Sequence, residues 1–166
     1  MQGLRIKYLP RRLEEDGVSL VIPGPFGILK LCQMMRDMDG ELRQRLGLNR
    51  SFGILWAFFM VSKIFKWVYL IKKEEKAVGM LGAYQWEPGI SSVLSMVIWH
   101  NTERGQGTGS KALKLALKEF SKRGLCKEFF VEVSRDNLRG MRFWKRQGFR
   151  EIGCKNQTVV LGLATR

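Results

Sequence analysis

The spacing of apolar and polar residues predicts short strands at the start of the chain. Residues 4–9 alternate between apolar and polar positions, which is typical of a strand that ends at Pro10. The polar residues 10–17 then predict a turn. Residues 18–22 are apolar and rich in β-forming residues, and they fit either a short strand or a buried loop that ends before Pro23.

A helical block follows. Apolar residues recur at helical spacing over residues 26–38, 41–48 and 53–65, and Gly40 and Gly47 lie near the helix ends. These three segments predict helices that precede the main strand-forming part of the chain.

One apolar stretch has the length of a membrane span. Residues 52–71 are mostly apolar, but Lys63 and Lys66 lie in their C-terminal half. A lysine at the centre of a membrane helix costs about 2.5–3.5 kcal/mol. The apolar period also changes near Phe65, from helical to alternating. A buried helix followed by a strand is therefore the better interpretation.

Three strands are predicted over residues 67–99. Residues 67–86 contain two β-rich runs joined at a charged turn, residues 74–76. A second turn at residues 87–89 leads to a third run at residues 90–99. Consecutive strands joined by short turns predict an antiparallel meander.

Helices and strands alternate in the last third of the chain. The predicted elements are a helix at 107–123, a strand at 128–133, a helix from Asp136 or Asn137 to Gln147, and strands at 149–153 and 158–164. Gly124 and Gly148 follow the two helices and predict their ends. The first helix has an apolar and a basic face, with Leu113, Ala116, Leu117 and Phe120 on one and Lys111, Lys114, Lys118 and Lys122 on the other.

The composition is that of an ordinary globular domain with excess positive charge. The 166 residues, 45% apolar and 27% charged, predict a single domain over residues 1–166. Lys and Arg number 29 against 15 acidic residues, which gives a formal net charge of +14. This excess favours anionic partners such as nucleic acid, lipid headgroups or phosphorylated cofactors. No aromatic RNA-binding pattern or zinc finger accompanies it, so nucleic acid is not the expected partner.

Metal and disulfide sites are not predicted. Cys32, Cys126 and Cys154 are odd in number and far apart, and His100 is the only histidine, so the sequence offers no zinc ligand set. The N-terminus has no signal-peptide pattern. Free thiols in a reducing cytoplasm, packed as small apolar side chains, are therefore expected.

A glycine-rich turn precedes the basic helix. Gly105, Gly107 and Gly109 allow the backbone to approach a ligand closely, and a helix N-terminus offers unpaired N–H groups with partial positive charge. The spacing GxGxG is neither the dinucleotide fingerprint GxGxxG nor a P-loop, in which GK precedes Ser or Thr. The residues thus predict a phosphate-binding turn of another kind.

Two segments resemble the GNAT superfamily of acyl-CoA N-acyltransferases. "RGQGTG", residues 104–109, is similar to the family's pyrophosphate-binding signature, in which Gln or Arg is followed by two residues, Gly, one residue, and Gly or Ala. "VEVSRDNLRGMRFWKRQGF", residues 131–149, is similar to a later family motif: a strand with Glu, an Asn, a helix with an aromatic pair, and Gly-Phe. The resemblance runs from Trp67 to Leu163. It implies an α/β (α+β) fold with a mixed, mostly antiparallel central sheet flanked by helices, and acyl-CoA at a splayed strand pair.

The resemblance also implies acetyl-CoA, or another acyl-CoA, as co-substrate, and no metal. The pantetheine arm would lie along the strand end at Val97, Ile98 and Trp99, and Asn137 would contact it from the other side. The pyrophosphate would bind to Arg104, Gly105, Gln106, Gly107, Thr108, Gly109 and Ser110. The lysines after this turn suit the negative charge of coenzyme A.

The resemblance assigns the catalytic proton acceptor to Glu132. In family members that act on protein N-termini, the acid at this strand position is the general base. Such a base is useful because an ammonium group with a pKa of about 10.4 is protonated at pH 7. The alternative for Glu132 is a cross-strand ion pair, and Glu87 is a weaker alternative base. Backbone N–H groups near residues 97–99 would hold the oxyanion.

One catalytic position departs from the family. The helix position that usually carries the tyrosine acid is Trp144, whose indole N–H is a donor but not a usable acid. The departing thiol could leave through water or another donor, or the chain could bind acyl-CoA without catalysis. In a third alternative, Trp144 only packs with Phe143.

The sequence thus predicts a cytoplasmic N-acetyltransferase that acts on a primary amine of an unidentified small molecule or peptide. The alternatives are a non-catalytic acyl-CoA sensor and, less favoured, a basic module for nucleic acid or anionic membrane. No membrane span is expected, and the resemblance allows a homodimer. The charge of +14 favours an acidic or phosphate-bearing acceptor over polyamines, which it would repel.

Overall fold

The computed structural model describes residues 9–36, 65–99 and 101–164. In these ranges the strands are β1 Arg12–Glu15, β2 Val18–Val21, β3 Trp67–Lys73, β4 Lys76–Glu87, β5 Ser91–Ile98, β6 Glu128–Ser134, β7 Arg150–Lys155 and β8 Thr158–Ala164. The α-helices of the same ranges are α1 Pro25–Arg36, α2 Thr108–Lys122 and α3 Leu138–Arg146. A short 3-10 turn, Asn101–Glu103, lies between β5 and α2.

All of these strands belong to one sheet, in the order β1-β2-β3-β4-β5-β6-β8-β7. Neighbouring strands are antiparallel except β5 and β6, which are parallel. The chain passes from β5 to β6 through α2, since parallel neighbours need a long crossover. The predicted mixed, mostly antiparallel sheet flanked by helices is therefore confirmed.

The first hairpin corrects one prediction. The sequence predicts a polar turn over residues 10–17, but Arg12–Glu15 form β1 and pair with β2. Asp16 and Gly17 have φ angles of 52° and 73°, the left-handed conformation of the two-residue hairpin turns that Asp-Gly favours. Only Leu13 of this strand is buried. An outer strand with one buried residue has no apolar alternation by which to recognise it.

The other predicted elements in the described ranges are confirmed with small shifts at their ends. Helix α1 covers most of the first predicted helix, β3 to β5 form the meander, and the later elements follow in the predicted order. Residues 18–22, for which two alternatives were open, contain β2. The predicted strand at residues 4–9 and the predicted helices at 41–48 and 53–65 fall outside the described residues, apart from Leu9 and Phe65. The single domain over residues 1–166 stays a prediction.

The sheet carries an apolar core on each face. The larger core packs α2 and α3 against alternate strand residues, and the ring of Phe120 meets that of Trp67 edge to face at 4.9 Å between centroids. On the opposite face, Leu31 of α1 packs in a smaller cluster with Val97 of β5 and with Trp99, the residue after β5. We call these two sides the α2 face and the α1 face. Because side chains alternate along a strand, β3, β4 and β5 contribute to both cores.

Two of the three cysteines have described side chains, and the prediction for Cys32 lies outside them. Cys126 is a free, buried thiol in the larger core, as predicted, whereas Cys154 on β7 is free and exposed, so the predicted packing is wrong there. The exposure of Cys154 follows from its position on the outermost strand, every residue of which is exposed.

The parallel strands β5 and β6 separate halfway along their length. Their pairing runs from Ser91 opposite Glu128 to Leu94 opposite Val131 and stops there. β5 continues beside β4 to its end, and β6 continues beside β8. The two strands therefore open into a fork whose edges are residues 95–98 and 132–134. This fork is the predicted splayed strand pair.

Candidate functional site

The glycine turn opens helix α2 beside the end of β5. Gly105 and Gly107 have φ angles of 81° and 82°, and Gly107 caps the helix without a side-chain hydrogen bond. The first bond within the helix runs from the Lys111 N–H to the Gly107 carbonyl, 3.0 Å apart. The N–H groups of residues 108–110 precede that bond and have no acceptor within the helix. The turn thus presents backbone donors at the positive end of the helix dipole.

Gly109 lets α2 approach the open half of β5. A Cβ atom at Gly109 would lie 3.2 Å from Met96 Cε, 3.7 Å from Ile98 Cγ1 and 3.7 Å from Phe143 Cε2. Thr108 is buried beside it, with 2% of its surface exposed. The predicted turn residues Thr108 and Gly109 therefore bring the helix end against the fork.

The side chains of the turn hold its backbone in place. Arg104 donates from Nε to the Ile98 carbonyl at 2.8 Å and from its second guanidinium nitrogen to the Trp99 carbonyl at 3.1 Å. Gln106 donates to the Thr102 carbonyl and accepts from Lys73 of β3. Two predicted phosphate-binding residues, Arg104 and Gln106, thus tie the turn to the strand ends.

Backbone groups on one side of the open half of β5 face the fork. The Trp99 N–H donates to the Val78 carbonyl at 3.0 Å, on the β4 side. Amide groups of alternate residues point to opposite edges of a strand, so Val97 also faces β4, whereas Met96 and Ile98 face the fork. Of the predicted pantetheine-binding residues Val97, Ile98 and Trp99, only Ile98 offers backbone groups to the opening. Met96 is a second such residue that the sequence did not indicate.

Glu132 lies where the fork begins. It is the first residue of β6 beyond the last pair with β5, and its side chain is exposed. Tyr84 of β4 donates its hydroxyl to Glu132 Oε2 at 3.2 Å. Burial, together with the negative charge of Glu132, raises the pKa of Tyr84 above its ordinary value. The predicted alternative for Glu132 was an ion pair, but no ion pair involves Glu132 among the described residues. The hydrogen bond from Tyr84 takes its place.

Glu87, the weaker candidate base, lies away from the fork. It ends β4 opposite Ser91, the first residue of β5. Ser91 lies four positions before the start of the fork at Ser95, which is about 13 Å along a strand. Glu87 and the glycine turn therefore lie at opposite ends of β5.

Helix α3 lies beside the start of α2, on the α2 face. Asn137, predicted to contact the pantetheine arm, caps α3 and accepts from the Gly140 N–H at 2.9 Å. A Cβ atom at Gly140 would lie 2.6 Å from Asn137 Nδ2, so a larger residue there would shift the capping side chain. Ser110, predicted to bind the pyrophosphate, accepts from Gln147 Nε2 at 3.0 Å. That bond joins the start of α2 to the end of α3.

Trp144 is part of the core. Its side chain is 7% exposed, and its ring packs edge to face against Phe143 and Phe149, with centroids 5.1 Å apart in each pair. These contacts agree with the alternative in which Trp144 only packs with its neighbours. A role of the indole N–H towards the thiol stays a prediction.

The basic face of α2 is partly paired. Lys118 Nζ lies 2.7 Å from Glu15 Oε1, and Lys111 Nζ donates to the Asp16 carbonyl at 3.4 Å. These residues and Lys114 line a groove of about 310 Å³ between α2 and the β1–β2 turn. Part of the lysine charge thus anchors the first hairpin.

The described ranges show neither a metal-binding cluster nor a membrane-spanning helix. Residues 9–36, 65–99 and 101–164 contain no group of three or more His, Cys, Asp or Glu side chains that could hold a metal ion. In the same ranges, no helix is long and apolar enough to cross a membrane.

Sequence reasoning missed Tyr84 and Met96. Tyr84 lies in a meander strand, where alternation explains a tyrosine without a functional role. One signal was available for Met96, because it lies two residues before Ile98 on the same strand edge. Nothing local relates Tyr84 to Glu132, which is 48 residues away in the sequence.

Comparison with known proteins agrees with this geometry. The pattern of the acetyltransferase (GNAT) family matches residues 33–149. No protein with a curated functional description matches the sequence significantly. Similar folds include a Salmonella typhimurium acetyltransferase that modifies the N-terminal serine of ribosomal protein L7/L12, with a TM-score of 0.79 and 16% identity, covering 92% of this chain and 97% of that one.

Two further structures were solved with ligands. The microcin C7 self-immunity acetyltransferase MccE, in complex with acetyl-CoA and AMP, has a TM-score of 0.73 at 13% identity and covers 96% of this chain and 99% of its own. The aminoglycoside acetyltransferase AAC(6')-Ib, in complex with coenzyme A, has a TM-score of 0.73 at 13% identity, with coverages of 89% and 94%. At these identities the likeness concerns the fold. The family pattern spans more than half of the sequence, and on that ground the chain belongs to the acetyltransferase (GNAT) family and is an acyltransferase.

Proposed function

We propose that this protein transfers an acetyl group from acetyl-CoA to a primary amine. The observation that carries the proposal is the fork between β5 and β6. At this one opening, the glycine turn lies on the α2 face and the carboxylate of Glu132 lies on the α1 face. A thioester whose phosphate end is held at the turn could reach Glu132 by passing between the two strands.

The turn suits a diphosphate. Its backbone donors have no acceptor within the helix, and the helix dipole adds partial positive charge. A Cβ atom built at Gly105 or Gly107 meets nothing within 4 Å, so space lies beside the turn. Arg104 supports this site by fixing the strand end through its hydrogen bond to the Ile98 carbonyl.

The edge of β5 suits the pantetheine arm. The amide groups of Met96 and Ile98 face the fork and can pair with the amides of the arm as an added strand would. Arg104 occupies the Ile98 carbonyl, which leaves the Ile98 N–H directed into the opening. That N–H is our candidate donor to the oxyanion.

Glu132 is the proposed general base. Acetyl-CoA supplies an acyl carbon bound to a good leaving group. Glu132 accepts a proton from the acceptor ammonium, which frees the nitrogen lone pair to form the C–N bond as the C–S bond breaks. The electron pair of the broken bond stays on sulfur, and the thiolate takes up, directly or through water, the second proton that the nitrogen loses as the amide forms.

The acceptor we favour is the amino group of a peptide or protein. The Salmonella typhimurium acetyltransferase modifies the N-terminal serine of a ribosomal protein, whereas AAC(6')-Ib is an aminoglycoside acetyltransferase. A net charge of +14 repels polycations such as aminoglycosides and favours an acidic peptide. The free thiols of Cys126 and Cys154 fit a reducing cytoplasm. A homodimer stays a prediction.

One observation favours a second function. Because Trp144 stands where the family usually has a tyrosine acid, a non-catalytic acyl-CoA sensor is the alternative. Both functions predict cofactor binding, and only the first predicts turnover.

Two experiments test these functions in turn. A ligand at 100 times its dissociation constant stabilises a protein by about 2.7 kcal/mol. For this chain length, that raises the melting temperature by about 5–11 °C. Melting with acetyl-CoA should show this shift, and melting with a mixed oligonucleotide should not. Thiol release is then followed with acidic peptides, neutral peptides and aminoglycosides. Acetyl-CoA binding without any turnover would favour the sensor, and no binding would remove both functions.

A further inference from the structure

A β-bulge aims Tyr84 at the fork. In the β4–β5 pairing, Ala83 lies opposite Leu94 and Gln85 opposite Val93, so Tyr84 is an extra residue without a partner on β5. Bulges re-aim a side chain and are frequent next to active sites. Here the phenol reaches across β5 to Glu132 of β6. The inserted residue is not needed to fill the core, because Tyr84 is only half-buried.

The hydrogen bond from Tyr84 gives the two carboxylate oxygens of Glu132 different surroundings. Oε2 accepts from the Tyr84 hydroxyl at 3.2 Å, which leaves Oε1 to accept a further proton. Across β8, the residue opposite Glu132 is the uncharged Val160, and the residue across the fork is Ser95. Among the described residues, Tyr84 is therefore the titratable group that contacts Glu132.

The chemistry of the phenol suits a permanent donor. Burial and the nearby carboxylate raise the pKa of Tyr84, so the hydroxyl keeps its proton throughout the working pH range. A coenzyme A thiol has a pKa near the ordinary thiol value of about 8.5, so proton transfer from this phenol to the departing thiolate is uphill. The phenol is therefore better suited to orienting a base than to acting as the missing acid.

We propose that Tyr84 is a positioning residue for the general base, whose hydroxyl holds Glu132 Oε2 and directs Oε1 to the substrate ammonium. This inference rests on the proposed acetyl transfer and adds a residue that the sequence did not indicate. It explains the bulge, the reach across β5 and the position of Glu132 at the first unpaired step of the fork.

The kinetic test compares Tyr84→Phe with Tyr69→Phe. Tyr69 also donates its hydroxyl, to the Pro10 carbonyl at 2.8 Å, but it lies in the core on the α2 face. Tyr84→Phe should lower kcat/KM about tenfold to a hundredfold, because a hydrogen bond to a charged group is lost. The loss should appear in kcat rather than in KM, because the bond orients the proton acceptor and does not touch the substrate. Tyr69→Phe should leave both constants unchanged.

A double variant shows whether Tyr84 acts through Glu132. In the Glu132→Gln background, Tyr84→Phe should cause no further loss of kcat/KM. An equal loss in both backgrounds, or a loss confined to KM, would overturn the proposal. Loss of the alkaline limb of the pH profile in Tyr84→Phe would overturn it too, because Tyr84 would then be the acid.

A measurement without substrate separates this inference from the proposed function. With ¹³C-labelled glutamate at one fixed pH, the carboxyl signal that disappears in Glu132→Gln reports the surroundings of the Glu132 carboxylate. Its chemical shift should change in Tyr84→Phe, which lacks the hydrogen bond, and stay in place in Tyr69→Phe. If Tyr84→Phe does not fold, 3-fluorotyrosine in the Tyr69→Phe protein should change the shift by making the phenol a stronger donor. An unchanged shift overturns the inference, whereas a changed shift without turnover in the wild type overturns only the proposed function.

Discussion

The two halves of β5 have the same strand geometry and opposite surroundings. Residues 91–94 pair with β4 on one edge and β6 on the other, so their backbone groups are used within the sheet. Residues 95–98 keep β4 and lose β6. The closed half is paired on both edges, and the open half leaves one backbone edge without a strand partner.

Helix α2 repeats this contrast, because it runs along β5 from one half to the other. Its first turn lies against Met96 and Ile98 through Gly109. At its other end, the Leu125 carbonyl accepts from the Gly89 N–H at 2.8 Å, just before β5 begins. Each end of α2 has a glycine with positive φ, Gly107 at 82° and Gly124 at 65°. A left-handed glycine therefore does not mark a ligand site by itself. Its place beside the open or the closed half decides its role.

The sharpest test of the comparison replaces one glutamate in each half. Glu132 and Glu128 are both exposed on the same face of β6, at the fork and at the closed end respectively. Glu132→Gln should lower kcat by about 10²- to 10⁴-fold, because the general base is lost. Glu128→Gln should change it less than about twofold, and steady-state thiol release measures both. Equal effects would remove the distinction between the halves.

The closed end should also exclude reagents. Burial raises the pKa of Cys126 from 9.0 to about 11. At pH 8 this lowers the thiolate fraction, and with it the alkylation rate, by roughly a hundredfold. Peptide mapping after iodoacetamide treatment should show the exposed Cys154 modified first.

The same shift fixes a pH dependence of stability. The folded pKa of Cys126 is raised, so the stability that this thiol contributes is present below pH 9 and is lost as the pH rises towards about 11. Melting at pH 8 and pH 11 measures it, and Cys126→Ala should reduce the difference. Rapid alkylation of Cys126 at pH 8 would show that the closed end opens readily.

A pair of glycine variants compares the two ends of α2. Gly107→Ala and Gly124→Ala place a methyl group where nothing lies within 4 Å, so each should cost about 1–2 kcal/mol of backbone strain alone. Only Gly107→Ala should also weaken acetyl-CoA binding, by about tenfold, because the methyl group enters the space beside the turn. Calorimetry with acetyl-CoA gives the affinities. Equal affinities in the two variants would mean that the diphosphate does not bind at this turn.

The smallest effect is expected at Trp144. If this residue only packs against Phe143 and Phe149, Trp144→Phe should lower the free energy of unfolding by about 1–3 kcal/mol and change kcat less than about twofold. Trp144→Tyr, which restores the residue usual in the family, should leave kcat similarly unchanged. A large rise in kcat with tyrosine would show that an acid is missing in the wild type.

Much of the candidate site could be predicted from local sequence. The glycine turn, the apolar and basic faces of α2 and the cap at Asn137 each depend on residues within one or two helical turns. Strand β1 could not be predicted from apolar alternation, because Leu13 is its single buried residue. The Asp16-Gly17 turn was the signal that could have revealed the strand.

What the sequence determined by itself, then, is the set of elements and the chemistry at their ends, because periodicity, glycine conformation and caps act over a few residues. Only the tertiary structure decided which strand edges stay open and which side chains meet there. The fork after Leu94 and the contact of Tyr84 with Glu132 both depend on strands distant in sequence. Pairing partners and a bulge are chosen by the packing of the whole sheet, and no local pattern records that choice.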